Sequence, residues 1–497
     1  MAQRPSAAAD APPERAIDRL DERSIGLRHL VFQTLTNMAP ATTLALGVIV
    51  LIPVAGPALP FFLLIGLVIC LPVASCMGQM AKHIPSAGGW YAFAARGLGP
   101  EIGFLVGWLY LLAIPAGMTV ILLTFSFVMQ DVMVNETRGL GWVGSPWWLW
   151  VVLAGAFMFA LAYRGIQLAM TAAMVLGAVE LFLFGALAVW MIVANSGENT
   201  LRAFDPSQAA VTQFDVLFKG LVLALLSFVG FEGAVPLAEE ARDPRRTVPR
   251  AVVLGLIAIG LFVVLAGYAT VVGFGFDEFA DAALAAGNPW VELADIYWGV
   301  GWTLIFFAIV NSVLGLGNAV VNAAARIVYS LGRDGVLPAA LGRTHPVHRT
   351  PHVAIAAIVA VGTLAALLAG WAWDLLTGIG VAAIALLVPL LVTYLAVCAS
   401  TFTFYRRERR AEFNLWLHGL LPLVGVVILL LVIFYQYVPL PPEPIVWANW
   451  FVLVGVVVGV GVLAWLRARS PGALRDAGRV VVEPDAETAP VGAAGPP

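Results

Sequence analysis

The chain has 497 residues, 61% of them hydrophobic and only 11% charged, with a formal net charge of −3 and a mean hydropathy of +0.92. Soluble globular domains carry about a quarter of their residues as charges, so this composition excludes one of that class. It reads as a polytopic membrane protein whose surroundings are the lipid bilayer, with no nucleic acid and no cofactor expected.

Residues 1–28 are polar and lack the apolar core and small-residue cleavage site of a secretory signal, so they are expected to remain as a cytoplasmic N-terminal segment. Crossing a hydrocarbon core of about 30 Å takes about 20 helical residues, and twelve runs of that kind follow. They cover residues 29–52, 57–80, 101–129, 146–163, 167–194, 214–236, 250–274, 299–328, 353–371, 375–400, 415–437 and 446–466. Helices are the expected element, because peptide groups in lipid must be satisfied within the segment and the runs lack the alternation of barrel strands. The fold class is therefore all-α. Residues 467–497 form a tail, rich from residue 470 in Ala, Gly, Pro and acidic side chains, which cannot bury enough apolar surface to fold and is expected to be disordered.

Basic residues accumulate in short cytoplasmic loops. With twelve spans and both termini inside, 24 of the 27 basic residues lie near the cytoplasm; only Arg138, Arg202 and Lys219 fall elsewhere. Shifting the span count by one destroys that asymmetry. Trp147, Trp148, Trp150, Trp290, Trp298, Trp302, Trp371, Trp373, Trp447 and Trp450 cluster at the predicted outer ends, as an interfacial belt would. Cys70, Cys76 and Cys398 lie singly within apolar spans, so they read as packing residues rather than as a metal or disulfide set. The histidines all fall at predicted cytoplasmic ends or loops, which leaves none at membrane depth for metal binding.

Two spans contain helix breakers. The first reads "LTNMAPATT", with Asn37 and Pro40 near its middle; the sixth reads "SFVGFEGAVP", with Gly230, Glu232, Gly233 and Pro236. Proline removes an N–H and glycine tolerates backbone conformations that other residues avoid, so each site can unwind and free peptide groups. Equivalent points of the two segments are five crossings apart, and five is odd, so the segments enter the membrane from opposite sides. Transporters built from inverted repeats place discontinuous helices in this way, with the freed ends meeting substrate or ion near the midplane. A pair of ordinary proline kinks is the competing reading; two breaks in matched places favour a site.

Three stretches resemble the amino acid/polyamine/organocation (APC) permease superfamily. They are "SFVGFEGAVPLAEEARDPRRTVPRA" (227–251), "IPSAGGWYAFAARGLGPEIGFLVGW" (84–108) and "ARIVYSLGRDGVLPAALGRTHPVHRTPHVA" (325–354), in the right order along residues 25–466. The resemblance implies a LeuT-type fold: spans 1–5 (29–194) and 6–10 (214–400) as inverted repeats, followed by two extra C-terminal helices (415–466). It implies alternating-access transport of amino acids or related amines. Substrate carboxylate would bind backbone N–H groups of the first break, here Asn37, Met38, Ala39, Pro40 and Ala41. The amine would bind at the sixth, here Leu226, Ser227, Val229 and Glu232. A half-helix N-terminus favours an anion and free carbonyls favour a cation.

The chain departs from the family pattern in places. It has "APA" at 39–41 where many members carry a glycine-serine-glycine motif, so Pro40 lacks one donor. Leu226 stands where many have an aromatic gate, a part that Phe228 or Phe231 would take instead. Some members place a lysine in the fifth span at about the position of Glu180, whose charge type here is the opposite.

Glu180 and Glu232 are the two carboxylates deep within predicted spans. A charge at the bilayer centre is costly, so such residues face a cavity and pair or take up a proton. Both are proton-coupling candidates, with a protonated structural link as the alternative for Glu180. Asn311, Ser312, Asn318 and Asn322 are read as hydrogen-bonding between neighbouring helices rather than as lining a pathway. By family analogy Ala113, Ile114 and Met118 would wall the pocket. Glu239, Glu240, Asp243, Arg245 and Arg246 are read as a solvated loop rather than as an inner gate with Arg326. No nucleophile or metal constellation lies at membrane depth, so an enzyme is not expected. The expected function is import of an amino acid with a proton. A polyamine or simple-amine permease is the alternative, and a ligand sensor without flux the alternative of another class.

Overall fold

The computed structural model describes residues 25–86, 88–134, 145–164, 166–211, 213–333, 335 and 337–469. The expected cytoplasmic segment up to residue 24 and the expected disordered tail from residue 470 lie outside the described residues. The chain runs through helices α1 (Leu27–Met38), α2 (Pro40–Thr42), α3 (Val48–Ala55), α4 (Leu59–Ala81), α5 (Trp90–Leu98) and α6 (Pro100–Val134). It continues through α7 (Trp147–Arg164), α8 (Ile166–Ala194), α9 (Phe214–Leu226), α10 (Pro244–Phe274), α11 (Phe279–Ala285) and α12 (Pro289–Trp298). The last five are α13 (Trp302–Arg333), α14 (His352–Ala372), α15 (Leu375–Arg407), α16 (Leu421–Tyr437) and α17 (Val446–Arg469). No strand forms among the described residues.

Ten helical stretches among these residues are long and apolar enough to cross a membrane. The expected spans 29–52 and 214–236 are not unbroken helices, so twelve crossings require counting both interrupted segments. The first breaks at Ala39, which takes the left-handed conformation (φ 44°, ψ 67°). Pro40 disfavours ordinary helical geometry at the residue before it, and the Ala39 N–H turns back to the carbonyls of Leu35 and Thr36. Helix resumes at Pro40, passes through a π-helical turn over Thr43–Gly47 and runs to Ala55.

The second break follows α9. The ladder tightens there to three-residue steps, Phe228 N–H to Leu225 O and Val229 N–H to Leu226 O. The chain then turns at Gly230 (φ 110°) and leaves through a 3₁₀ turn over Val235–Glu240. The sixth span therefore does not resume as α-helix after its break, and α10 begins earlier than expected, at Pro244.

The two breaks touch. A side chain at Gly230 would overlap the Asn37 carbonyl, and one at Gly233 would press on the Asn37 amide. Their absence lets Asn37 Nδ2 donate to Gly230 O at 2.9 Å. Around this crossing α1 packs against α8, α10 and α13, and α10 packs along α4. Gly260 and Gly267 of α10 face Leu67 and Leu63 of α4 with no room for a Cβ, which is how membrane helices approach closely. Outward-facing residues such as Phe182, Val193, Leu423 and Val457 are apolar and exposed, as a lipid-facing surface requires.

Gly275 is also left-handed, at φ 88°, but has open space around it. Gly275→Ala is therefore expected to cost backbone strain of about 1 kcal/mol. Gly230→Ala should cost more, because the new methyl also displaces Asn37. Apparent melting temperatures in detergent check this; equal shifts for the two variants would mean that the crossing is not tight.

Candidate functional site

At the first break, the N-terminus of the resumed helix meets a side chain. The Ala41 N–H donates to Glu180 Oε1 at 2.9 Å, and Ser312 Oγ donates to the same oxygen at 2.8 Å. Ser312 Oγ in turn accepts the Thr42 N–H at 3.3 Å, while Asn311 Nδ2 reaches Glu180 Oε2 at 3.5 Å. Glu180 is buried, and its carboxyl group lies at the start of a helix whose dipole favours an anion. It links α8 and α13 to the first break.

At the second break, Glu232 is also buried, and its Oε2 accepts the Gly230 N–H at 3.1 Å. Tyr394 on α15 faces the same carboxylate, with its hydroxyl making no hydrogen bond of ordinary geometry. The Tyr394 ring packs on Phe231, centroids 5.5 Å apart.

Between the breaks lies a cavity of about 510 Å³. Of the residues expected to bind substrate, Asn37, Met38, Leu226, Ser227, Val229 and Glu232 line it, and so do Ala113 and Ile114. Ala39, Pro40 and Ala41 do not line it, nor does Met118, which packs under Gly362 of α14. Phe228 packs against Gly66 of α4, and Phe231 borders a separate small void near Tyr394, so neither ring gates the cavity. Trp90 and Tyr110 also line it and meet edge-to-face with centroids 4.4 Å apart. Sequence reasoning missed both as site residues; the signals were Trp90 at the end of "SAGGW" and Tyr110 alone in an apolar run. Among the described lining residues Glu232 is the only charged side chain.

The four polar residues of α13 lie off the cavity. Ser312 and Asn311 bond across helices to Glu180, as expected, whereas Asn322 Nδ2 donates to Asn318 O at 2.9 Å within α13 itself. Asn322 also receives Arg326: Nη1 donates to its carbonyl at 2.9 Å and to its Oδ1 at 3.1 Å.

The reading of residues 239–246 as a solvated loop needs correction. Asp243, Arg245 and Arg246 are exposed, but Glu240 is fully buried in a 2.8 Å ion pair with Arg326, and Glu239 pairs with Arg333 at 3.2 Å. The 3₁₀ turn after the second break carries both glutamates inward against α13. Backbone bonds add to this contact, Ile25 N–H to Glu240 O at 3.1 Å and Arg242 N–H to Ile25 O at 2.7 Å. The cavity lining extends on α13 only as far as Ala323, so these contacts close the molecule beyond that end. At the other end the lining reaches Pro53, Leu284 and Ile445.

A multi-pass helical membrane protein with two interrupted helices crossing beside a central cavity is the class that these features define. A family profile described as amino acid permease matches residues 25–463. The chain belongs to that family, within the APC superfamily. It is 30% identical over 306 residues to the low-affinity putrescine importer PlaP of Escherichia coli K12, covering 60% of this chain and 65% of that protein's length. It is 24% identical over 322 residues to the branched-chain amino acid permease BcaP of Bacillus subtilis, covering 60% and 65%. With the amino-acid permease RocC of Bacillus subtilis it shares 25% identity over 438 residues, covering 81% and 86%.

Removing one member of a buried ion pair leaves the other uncompensated and costs about 3–5 kcal/mol. Arg326→Met and Glu240→Leu alone should each destabilise by that order, and the double replacement should recover most of the loss. Thermal denaturation of the three variants measures the coupling; additive losses would mean that the pair does not act as a unit.

Proposed function

We propose that the chain is a secondary transporter of the cell membrane that imports a substrate bearing a protonated amino group, by alternating access and with a proton as coupling ion. The observation that carries this reading is the carboxylate of Glu232, the only charged side chain among the described residues that line the cavity between two broken helices. A carboxylate and the peptide carbonyls of an unwound segment suit an ammonium, and hydrogen bonds to charged groups are worth about 1.5–3 kcal/mol each. Trp90 and Tyr110 add aromatic faces on which a cation is favoured. The relatives' names fit, since putrescine and branched-chain amino acids share the ammonium group.

In this reading residues 29–194 and 214–400 are the inverted repeats of a LeuT-type fold, residues 415–466 are two added helices, and both termini face the cytoplasm. The excess of basic residues then places the Arg326 end inside. The cavity accordingly opens outward, and the Glu240–Arg326 and Glu239–Arg333 pairs close the inner side. Both glutamates follow directly on the substrate-binding break, so motion of that segment separates the pairs and lets substrate leave inward.

Glu180 supplies the second proton-coupling candidate. As a carboxylate it holds the Ala41 N–H and the Ser312 hydroxyl on one oxygen. A proton on it removes the charge that the helix N-terminus stabilises, which loosens α8 and α13 from the first break. Proton occupancy and the position of that break are thereby linked.

Glu232→Gln is expected to lower uptake into proteoliposomes about tenfold or more while the protein stays folded; wild-type kinetics at every pH would overturn the role given to Glu232. Glu180→Gln is expected to abolish the response of uptake to an imposed inward proton gradient, and an unchanged response would remove Glu180 from coupling.

A further inference from the structure

We infer that the substrate is an amine without a carboxylate group, a monocation with an apolar body. The inference rests on the cavity being the substrate site, and it concerns the donors available there.

A substrate carboxylate needs a cation or two or more convergent N–H donors. The first break is where such donors are expected, and each of its N–H groups is already used. The Ala39 N–H bonds to Leu35 O and Thr36 O, and the Thr43 N–H to Ala39 O. Pro40 has none. The Ala41 N–H is held by Glu180 and the Thr42 N–H by Ser312. A substrate carboxylate at Ala41 would have to displace Glu180 and then sit beside a like charge. The protein's own carboxylate fills the anion position of the helix.

No Lys, Arg or His lies among the described lining residues. The Asn37 amide donor is spent on Gly230 O, which leaves its Oδ1, an acceptor, buried without a partner. The Ser227 and Thr42 hydroxyls are also unpartnered and can serve in either sense. The Trp90 indole N–H is an unpartnered donor, but it is single and neutral. Asn37 Oδ1 is thus an acceptor, the two hydroxyls can act as acceptors, and Glu232 adds a carboxylate that already holds the Gly230 N–H, a set that suits the three donors of one ammonium. One carboxylate balances one positive charge. The remaining wall, including Ile114, Leu226, Leu316 and Val320, is apolar and suits a hydrocarbon body.

The test uses matched pairs that differ only by the carboxylate: leucine against isoamylamine, and phenylalanine against phenethylamine. Binding to the purified full chain is read by quenching of tryptophan fluorescence, and flux by uptake into proteoliposomes. Each amine is expected to bind at least tenfold more tightly than its amino acid. An amino acid binding as tightly as its amine, or folded protein that binds neither at millimolar concentration, overturns the inference. Amine binding without flux supports it and counts instead against the transport reading, whereas leucine flux with tight leucine binding sinks it and leaves transport standing. Glu180→Ala, which frees the Ala41 N–H, is expected to narrow the gap between leucine and isoamylamine at least threefold. An unchanged gap in the folded variant would overturn the part given to Glu180.

Discussion

Away from water, a peptide group without a hydrogen-bond partner costs several kcal/mol, and much of this structure follows from how two interrupted helices meet that demand. Neither break is left open. At the first, Ala39 folds its N–H back onto the preceding turn, and Glu180 and Ser312 take the next donors. At the second, Glu232 captures the Gly230 N–H and Asn37 caps the Gly230 carbonyl. The side chains that heal the breaks come from α1, α8, α13 and the sixth segment itself, so the same bonds that satisfy the backbone bind these helices into one crossing.

That arrangement ties packing to chemistry. Glycine at 230 and 233 allows the two backbones to approach, and the approach brings Glu232 and Asn37 to one wall of the cavity. A bulkier residue at either position would separate the breaks and scatter the polar groups. The cost of holding Ala39 in a left-handed conformation, about 1–2 kcal/mol, is offset by the contacts that the turn makes possible.

Much of the helical content and the places of both breaks were legible in the sequence, because long apolar runs and the breakers Pro40, Gly230 and Gly233 act locally. Glu180 and Glu232 stood out for the same reason, since a carboxylate is rare in such runs. What the sequence did not carry was pairing. Nothing near Glu180 indicates that its oxygen meets the N–H of a residue 139 positions away, or that Glu240 is buried against a residue 86 positions on. Charge density around residues 239–246 suggests water, and only the 3₁₀ turn after the second break shows that two of those side chains face inward. The short helix α5 escaped notice because it lies in a loop between two long runs.

The closure at the Arg326 end joins two parts of the chain to residues 239–242: the backbone at Ile25, and α13 through Arg326 and Arg333. These ties share one short turn, so breaking one leaves the others holding, and breaking the Glu240–Arg326 pair leaves a buried charge unpaired. The barrier therefore yields as a unit. In the proposed transport cycle this shared anchorage disfavours a state ajar at both ends, because no single tie can open that end by itself.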